Sequence, residues 1–224
     1  MTVSLLDRRL YSMADVGRLL GLQTGTVRRW IDGHRRQERI YPPVLRAEST
    51  GDETVTWGEF VETRLLAEYR KYASLQRLRP AIQLLREEIG PYPLAHAHPF
   101  LDVAGKELVR RIQDRVGLQQ EEFLVIVRTG QQLLTTAPVN EFLKQVEFSD
   151  GSVSRLTPCG RDNPVRIDPV YQTGRPVVRA VPTDVIAEQF RAGESTNEIA
   201  DAFDLNTSQV ESALRFELGL ATAA

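Results

Sequence analysis

The sequence predicts an α+β chain, mainly α, on three observations. Helical periodicity with capping residues recurs near the start and again near the end. Short β-rich runs with Asp-Gly or Pro punctuation are concentrated between residues 91 and 178. Gly21, Pro80, Gly90 and Gly193 mark the joints of the helical stretches. At 224 residues, with 42% hydrophobic and 26% charged side chains, the chain can build one or two domains with real cores. The changes of pattern divide it into residues 1–90, 91–158 and 159–224.

In the first segment Ser12 stands where it can cap a helix, and Asp15, three residues on, supplies the acidic half of a capping box. Val16, Leu19 and Leu20 at i, i+3 and i+4 make one apolar stripe, and Gly21 suits the left-handed residue that ends it. Thr24 or Thr26 starts a second helix with Val27, Trp30 and Ile31 on its inner face. Thr24, Thr26, Arg28 and Arg29 are left pointing outward. A polar basic loop follows over residues 32–39. Residues 40–46 read as a strand whose prolines mark an edge, 49–52 as a turn, and 53–56 as a second strand. Two helices joined by a tight turn and followed by two strands predict a winged helix-turn-helix. Its second helix would enter the major groove, and its wing would lie along the sugar-phosphate backbone. The candidate DNA-binding residues are therefore Thr24, Thr26, Arg28, Arg29, Arg35, Arg36, Arg39, Tyr41 and Arg46, with His34 near a phosphate. Residues 57–70 then form an amphipathic helix with Phe60, Val61, Leu65, Ala67 and Tyr69 as its apolar contacts. Residues 80–89 form another, begun by Pro80 and ended by Gly90.

From residue 91 prolines break the helical period. Residues 100–103 and 107–110, joined at Ala104-Gly105, read as a hairpin. Residues 122–128 are strongly β in type, 139–144 read as a short helical turn, and 146–156 as a hairpin whose Asp150-Gly151 suits a type I′ turn. This small α+β or mainly β region carries no legible function. In the last segment two short strands, 165–170 and 175–178, flank a turn at Gly174. Three helices follow over 183–191, 195–203 and 206–217, with a capping box at Ser195 and Glu198 and its amide analogue at Asn206 and Gln209. Ile199, Ala200, Phe203, Val210, Ala213 and Leu214 fill their core. This helix-turn-helix-like shape exposes Gln209, Glu211 and Glu217, which suits a protein partner or dimerisation rather than DNA.

The net charge of −2 conceals an asymmetry. Nine arginines in residues 1–46 face four acids, a balance of +5, whereas residues 182–224 stand at −6. The basic end suits a polyanion, and an all-arginine set suits bidentate contact with guanine or phosphate. The acidic end would be repelled by one. The single Cys159 excludes an intramolecular disulfide and a multi-cysteine zinc site. His96 and His98 would share one strand face, but without a third ligand they read as solvated, so no metal and no cofactor is expected. There is no Walker loop, no nucleophile elbow and no His-Glu-x-x-His, and the acids lie on helix surfaces, so the chain is not expected to be an enzyme. No run is long enough to span a bilayer and no signal peptide is evident, which makes the cytoplasm the expected compartment.

Residues 11–89 resemble the MerR-type winged helix-turn-helix, through Ser12-Met-Ala-Asp-Val-Gly-Arg-Leu-Leu-Gly, Thr26-Val-Arg-Arg-Trp and the wing. Unlike a typical MerR regulator, the chain has no long dimerising coiled coil after it. The last segment, through Ile167-Asp-Pro, Gly174-Arg-Pro-Val-Val, residues 185–193, Ile199-Ala-Asp-Ala-Phe and Val210-Glu-Ser-Ala-Leu, looks like a small bacterial domain of long unassigned function. Its members are mostly antitoxins encoded beside PIN-type ribonuclease toxins. The combination is similar to the larger VapB-family antitoxins of actinobacteria. The resemblance implies a type II antitoxin that neutralises a PIN-type ribonuclease and represses its own promoter, with operator DNA, the cognate toxin and a second copy of itself as partners. The alternative is a ligand-responsive MerR-like transcriptional regulator.

Overall fold

The computed structural model describes residues 4–70, 74–118, 122, 124–128 and 132–223. Among them ten α-helices and eleven short strands form an α+β fold with small antiparallel sheets. Strand β1 (Arg9–Ser12) runs straight into helix α1 (Met13–Leu20). The Ser12 hydroxyl accepts from the Asp15 N–H at 3.1 Å while the Asp15 carboxylate accepts from the Ser12 N–H at 2.9 Å, so the predicted capping box forms. Gly21 closes α1 at φ 62, and α2 (Thr24–Ile31) starts at Thr24. Val16, Leu19, Val27 and Ile31 are buried between the two helices and their neighbours.

The strands that follow are paired differently from the sequence reading. A hairpin of β2 (His34–Arg36) and β3 (Arg39–Tyr41) turns at residues 37 and 38. β4 (Thr54–Thr56) pairs with β1 instead. The expected loop at 32–39 is thus half strand, and the expected strand at 40–46 stops at Tyr41. Pro42 and Pro43 have no N–H to offer a ladder. Beyond them the chain turns back, and the N–H groups of Val44, Leu45 and Arg46 bond the carbonyls of Trp30 and Ile31 at 2.8–3.3 Å. Val44 and Leu45 enter the core there.

Helix α3 (Trp57–Tyr69) is not the one-sided helix that its sequence implied, because it lies in the middle of the molecule. Trp57, Phe60, Val61, Leu65, Leu66 and Tyr69 are fully buried, and so are Glu62 and Thr63. Helix α4 (Leu75–Ile89) begins five residues before Pro80, which sits in its second turn instead of its first. Gly90 ends it as expected.

The predicted hairpin over 100–110 is absent; α5 (His98–Leu101) and α6 (Val103–Val116) occupy those residues. Val109 and Ile112 form a buried helical stripe. Gly105, read as a turn, serves a close approach: a Cβ there would lie 1.8 Å from the His98 carbonyl oxygen. Strands β5 (Val125–Arg128) and β6 (Gln132–Thr135) form a hairpin, α7 (Ala137–Leu143) packs on α3, and β7 (Val146–Ser149) pairs with β8 (Ser152–Leu156). Asp150 and Gly151 both take positive φ, as a type I′ turn requires.

β7 and β8 continue into a five-stranded sheet with β9 (Val165–Ile167), β10 (Pro176–Val178) and β11 (Val181–Pro182). Helices α8 (Thr183–Arg191), α9 (Thr196–Phe203) and α10 (Thr207–Ala223) then close on Ile199, Ala200, Val210, Ala213 and Leu214, with Phe203 half-buried. Both predicted caps form, at Ser195 with Glu198 and at Asn206 with Gln209. Glu217, expected on the outer face, is buried; its carboxylate accepts from the Thr183 hydroxyl at 2.5 Å and stands 3.7 Å from Arg18.

Long-range bonds join the beginning of the chain to its end. The Trp57 indole donates to the Val153 carbonyl at 2.8 Å, and the Tyr11 hydroxyl donates to the Gly174 carbonyl at 2.9 Å. Gly174 sits at φ 76, and a Cβ on it would lie 2.4 Å from the Tyr11 oxygen, so glycine is required on two counts. Helix α1 packs directly on α10. No helix among the described residues is long and apolar enough to cross a membrane.

Candidate nucleic-acid interface

Helix α2 and the β2–β3 hairpin carry eight of the nine sequence-predicted residues. Burying Val27 and Ile31 turns Thr24, Arg28 and Arg29 outward, and all three are exposed. Thr26 is half-buried, and its hydroxyl accepts from the Arg29 guanidinium at 2.8 Å, which orients that side chain. Arg28 is not free: it pairs with Glu53 at 2.5 Å, both groups being more than half exposed. An exposed pair of this kind is worth only about 0–1 kcal/mol and can be exchanged for a phosphate or a base. Trp30, read as core, is half-buried at the edge of the same helix.

On the hairpin Arg35, Arg36 and Arg39 are exposed. The pairing of Arg36 with Arg39 and of His34 with Tyr41 puts these four on one face, with Arg35 and Ile40 on the other. Tyr41 stacks on His34, ring centroids 4.6 Å apart, and the Arg39 guanidinium lies 5.2 Å above its ring. A planar cation held over an aromatic face is thereby presented to solvent next to α2. Ile40 is 71% exposed, an apolar side chain standing out among arginines.

Arg46 belongs elsewhere. Its guanidinium is nearly buried and bonds Glu59 at 2.7 and 3.3 Å, Asp32 at 3.0 Å, the Thr50 hydroxyl at 2.8 Å, and the carbonyls of Asp52 and Thr54 at 2.8 Å each. With its donors spent inside the protein it has none to give a phosphate. Asp32, at the end of α2, is the other hub. Burial pushes its carboxyl up, but the Thr50 N–H, the Arg46 guanidinium, the Gly51 N–H and the Ser49 hydroxyl outweigh that and bring it down to about 2. Sequence reasoning missed Asp32 and Glu53, whose partners lie across loops that no spacing rule links, and Glu59, whose capping box with Thr56 had a legible i, i+3 signal although its bonds to Arg46 did not.

His96 and His98 do not share a strand face. His96 forms an isolated bridge with Ser152, and His98 opens α5 with its Nδ1 2.7 Å from Asp102. Among the described residues no three His, Cys, Asp or Glu side chains are grouped to hold a metal ion. Toward the C-terminus Glu188, Asp201 and Glu211 are exposed on α8, α9 and α10, a surface of opposite sign to that of α2 and the hairpin.

Residues 165–216, from β9 into α10, match a family model described as "Protein of unknown function (DUF433)". The chain is 36% identical over 225 residues to "Uncharacterized protein Rv2308" of Mycobacterium tuberculosis, covering 95% of this chain and 92% of the relative. It is 28% identical to the protein of the same organism named "Putative antitoxin VapB45", covering 93% of each. The crystal structure of Rv2018, also from M. tuberculosis, superposes with a TM-score of 0.75 at 26% identity over 94% of this chain and all of that one.

Proposed function

The chain belongs to the family of the mycobacterial protein Rv2308, and from that premise we propose that it is the antitoxin of a type II toxin–antitoxin pair. The observation that carries this reading is the end-to-end match to the protein named as an antitoxin, which spans the arginine-bearing half as well as the acidic half. In the proposal α1, α2 and the β2–β3 hairpin act as a MerR-like winged helix-turn-helix on the operon's own promoter in the cytoplasm. The partner held by the rest of the chain is a PIN-type ribonuclease, and a second copy pairs the half-sites. The protein works by occupancy, not catalysis.

Two assays test the two halves. Co-expression and pull-down with the product of the adjoining reading frame should recover a complex that suppresses its ribonuclease activity; failure to form one overturns the antitoxin reading. On promoter DNA, Arg28→Ala and Arg29→Ala should each cost about 1–3 kcal/mol if the guanidinium reads a base, and less if it touches only phosphate. Unchanged affinity in the double variant would exclude α2 as the reading helix. A second reading, a ligand-responsive regulator, is favoured by one feature. A 360 Å³ cavity lined by Leu20, Leu22, Phe216 and Leu220, with Arg70 at its wall, lies where the α1–α2 turn meets α10.

A further inference from the structure

A cleft of 460 Å³ opens beside α2. Its walls come from three places distant in sequence: Arg29 and Trp30 from α2, Arg36 and Tyr41 from the hairpin, and Arg70 and Arg79 from the end of α3 and the second turn of α4. Four guanidiniums thus line one cleft, and among the described residues no carboxylate lines it with them. Their surroundings do not neutralise them either. Arg29 donates to a hydroxyl, Arg79 donates through Nε to the Pro43 carbonyl at 2.9 Å, and Arg36 and Arg70 make no ion pair among the described residues. The neighbouring Arg77, by contrast, turns to Glu122 at 3.1 Å. Eleven of the 25 arginines pair with an acid among the described residues, whereas these four share one concave surface and none of them does. Like charges held together in a concavity repel one another and focus a positive potential, and an anion relieves both.

The cleft also receives the start of α4. Ser74, at the N-cap position of this fifteen-residue helix, makes no side-chain cap, and its carbonyl accepts from the Arg77 N–H at 2.9 Å. The hairpin register brings Arg36 to the cleft side and sends Arg35 and Ile40 to the other. Guanidinium forks converging from three elements can bind a phosphodiester bidentately. A duplex seated on the exposed face of α2 runs past the cleft mouth, since Arg29 belongs to both.

We propose that this cleft clamps backbone phosphate of the operator beside the bases faced by α2, with Arg70 and Arg79 as phosphate anchors that extend the footprint onto α3 and α4. The inference rests on the DNA-binding reading above and adds to it Arg70 and Arg79, which lie beyond α2 and the β2–β3 hairpin on α3 and α4.

The test is a salt series of the full-length protein on its promoter duplex and on an unrelated duplex of equal length. Arg70→Gln and Arg79→Gln should each weaken binding to both duplexes alike, by about three- to tenfold at moderate salt, and lower the slope of log affinity against log salt by about one. Arg79 also holds the Pro43 carbonyl, so Arg70→Gln, which gives up no such bond, carries the decision if Arg79→Gln fails to fold. An unchanged slope in folded Arg70→Gln overturns the clamp while leaving promoter binding by α2 intact. A loss confined to the promoter duplex overturns it too, because a phosphate anchor cannot distinguish sequence. Wild-type protein that binds neither duplex at low salt sinks the DNA reading itself, and the clamp with it.

Discussion

Arg46 spends its donors holding together the end of α2, the loop before β4 and the cap of α3, because its guanidinium reaches Asp32, Glu59 and two carbonyls at once. Removing one partner of a nearly buried ion network leaves the other charges uncompensated, so Arg46→Ala should cost about 3–5 kcal/mol in a denaturant titration. Arg46→Lys should recover little, since a single ammonium cannot reproduce the fork. Glu62 is the opposite kind of residue. It is fully buried, one carboxylate oxygen accepts from the Leu94 N–H at 3.0 Å, and the other has no partner among the described residues. Burial, only partly offset by that N–H and by Arg86, pushes its pKa from 4.5 up to about 8. The folded state therefore keeps a proton that the unfolded chain releases, and stability falls as pH rises from about 4.5 to about 8. Thermal melts at pH 5 and pH 8 should show this loss in the wild type. Glu62→Gln should flatten it and be the more stable form at pH 8 by about 1–3 kcal/mol.

Among elements, α2 is the one whose function depends on what its neighbours leave exposed. Glu53, delivered from the turn before β4, competes with any ligand for Arg28. Glu53→Gln should release that guanidinium, tighten DNA binding severalfold and steepen its salt dependence; a filter-binding series at two salt concentrations measures both. Local chemistry made several elements legible beforehand: the Ser12–Asp15 and Ser195–Glu198 boxes, Gly21, and the Asp150-Gly151 turn act within four residues of themselves. The misreadings have a common cause in tertiary context. Gly105 was taken for a turn because its role, contact with the His98 carbonyl, is made by another helix. Pro80 was taken for a start because nothing nearby signals that Leu75 and Leu78 are buried. The hairpin lies at 34–41 and not at 40–56 because strand-like composition at 40–46 says nothing about which strand pairs with which. The candidate interface followed the same rule. The outward residues of α2 were readable from its inner stripe, while Arg46 changed role because Asp32 and Glu59 are its neighbours only after folding.

Across the whole molecule the two ends of opposite charge are bound to each other rather than tethered apart. α1 rests on α10, Arg18 faces Glu217, and Trp57 and Tyr11 bond backbone in β8 and at Gly174. The fluorescence of Trp30 and Trp57, both near the N-terminus, should therefore lose its native signal at the same temperature as the far-ultraviolet dichroism of all the helices. Two separated transitions would show that the halves fold independently. The bond between Tyr11 and Gly174 has a further consequence in time. These residues are 163 positions apart, and a ribosome adds about 5–20 residues per second. Roughly 8–30 s passes after Tyr11 is made before its partner exists, and α10 comes later still. A nascent chain thus exposes its arginine-bearing helices well before the surface that supports them has been synthesised, so this end is completed only once α10 has been made.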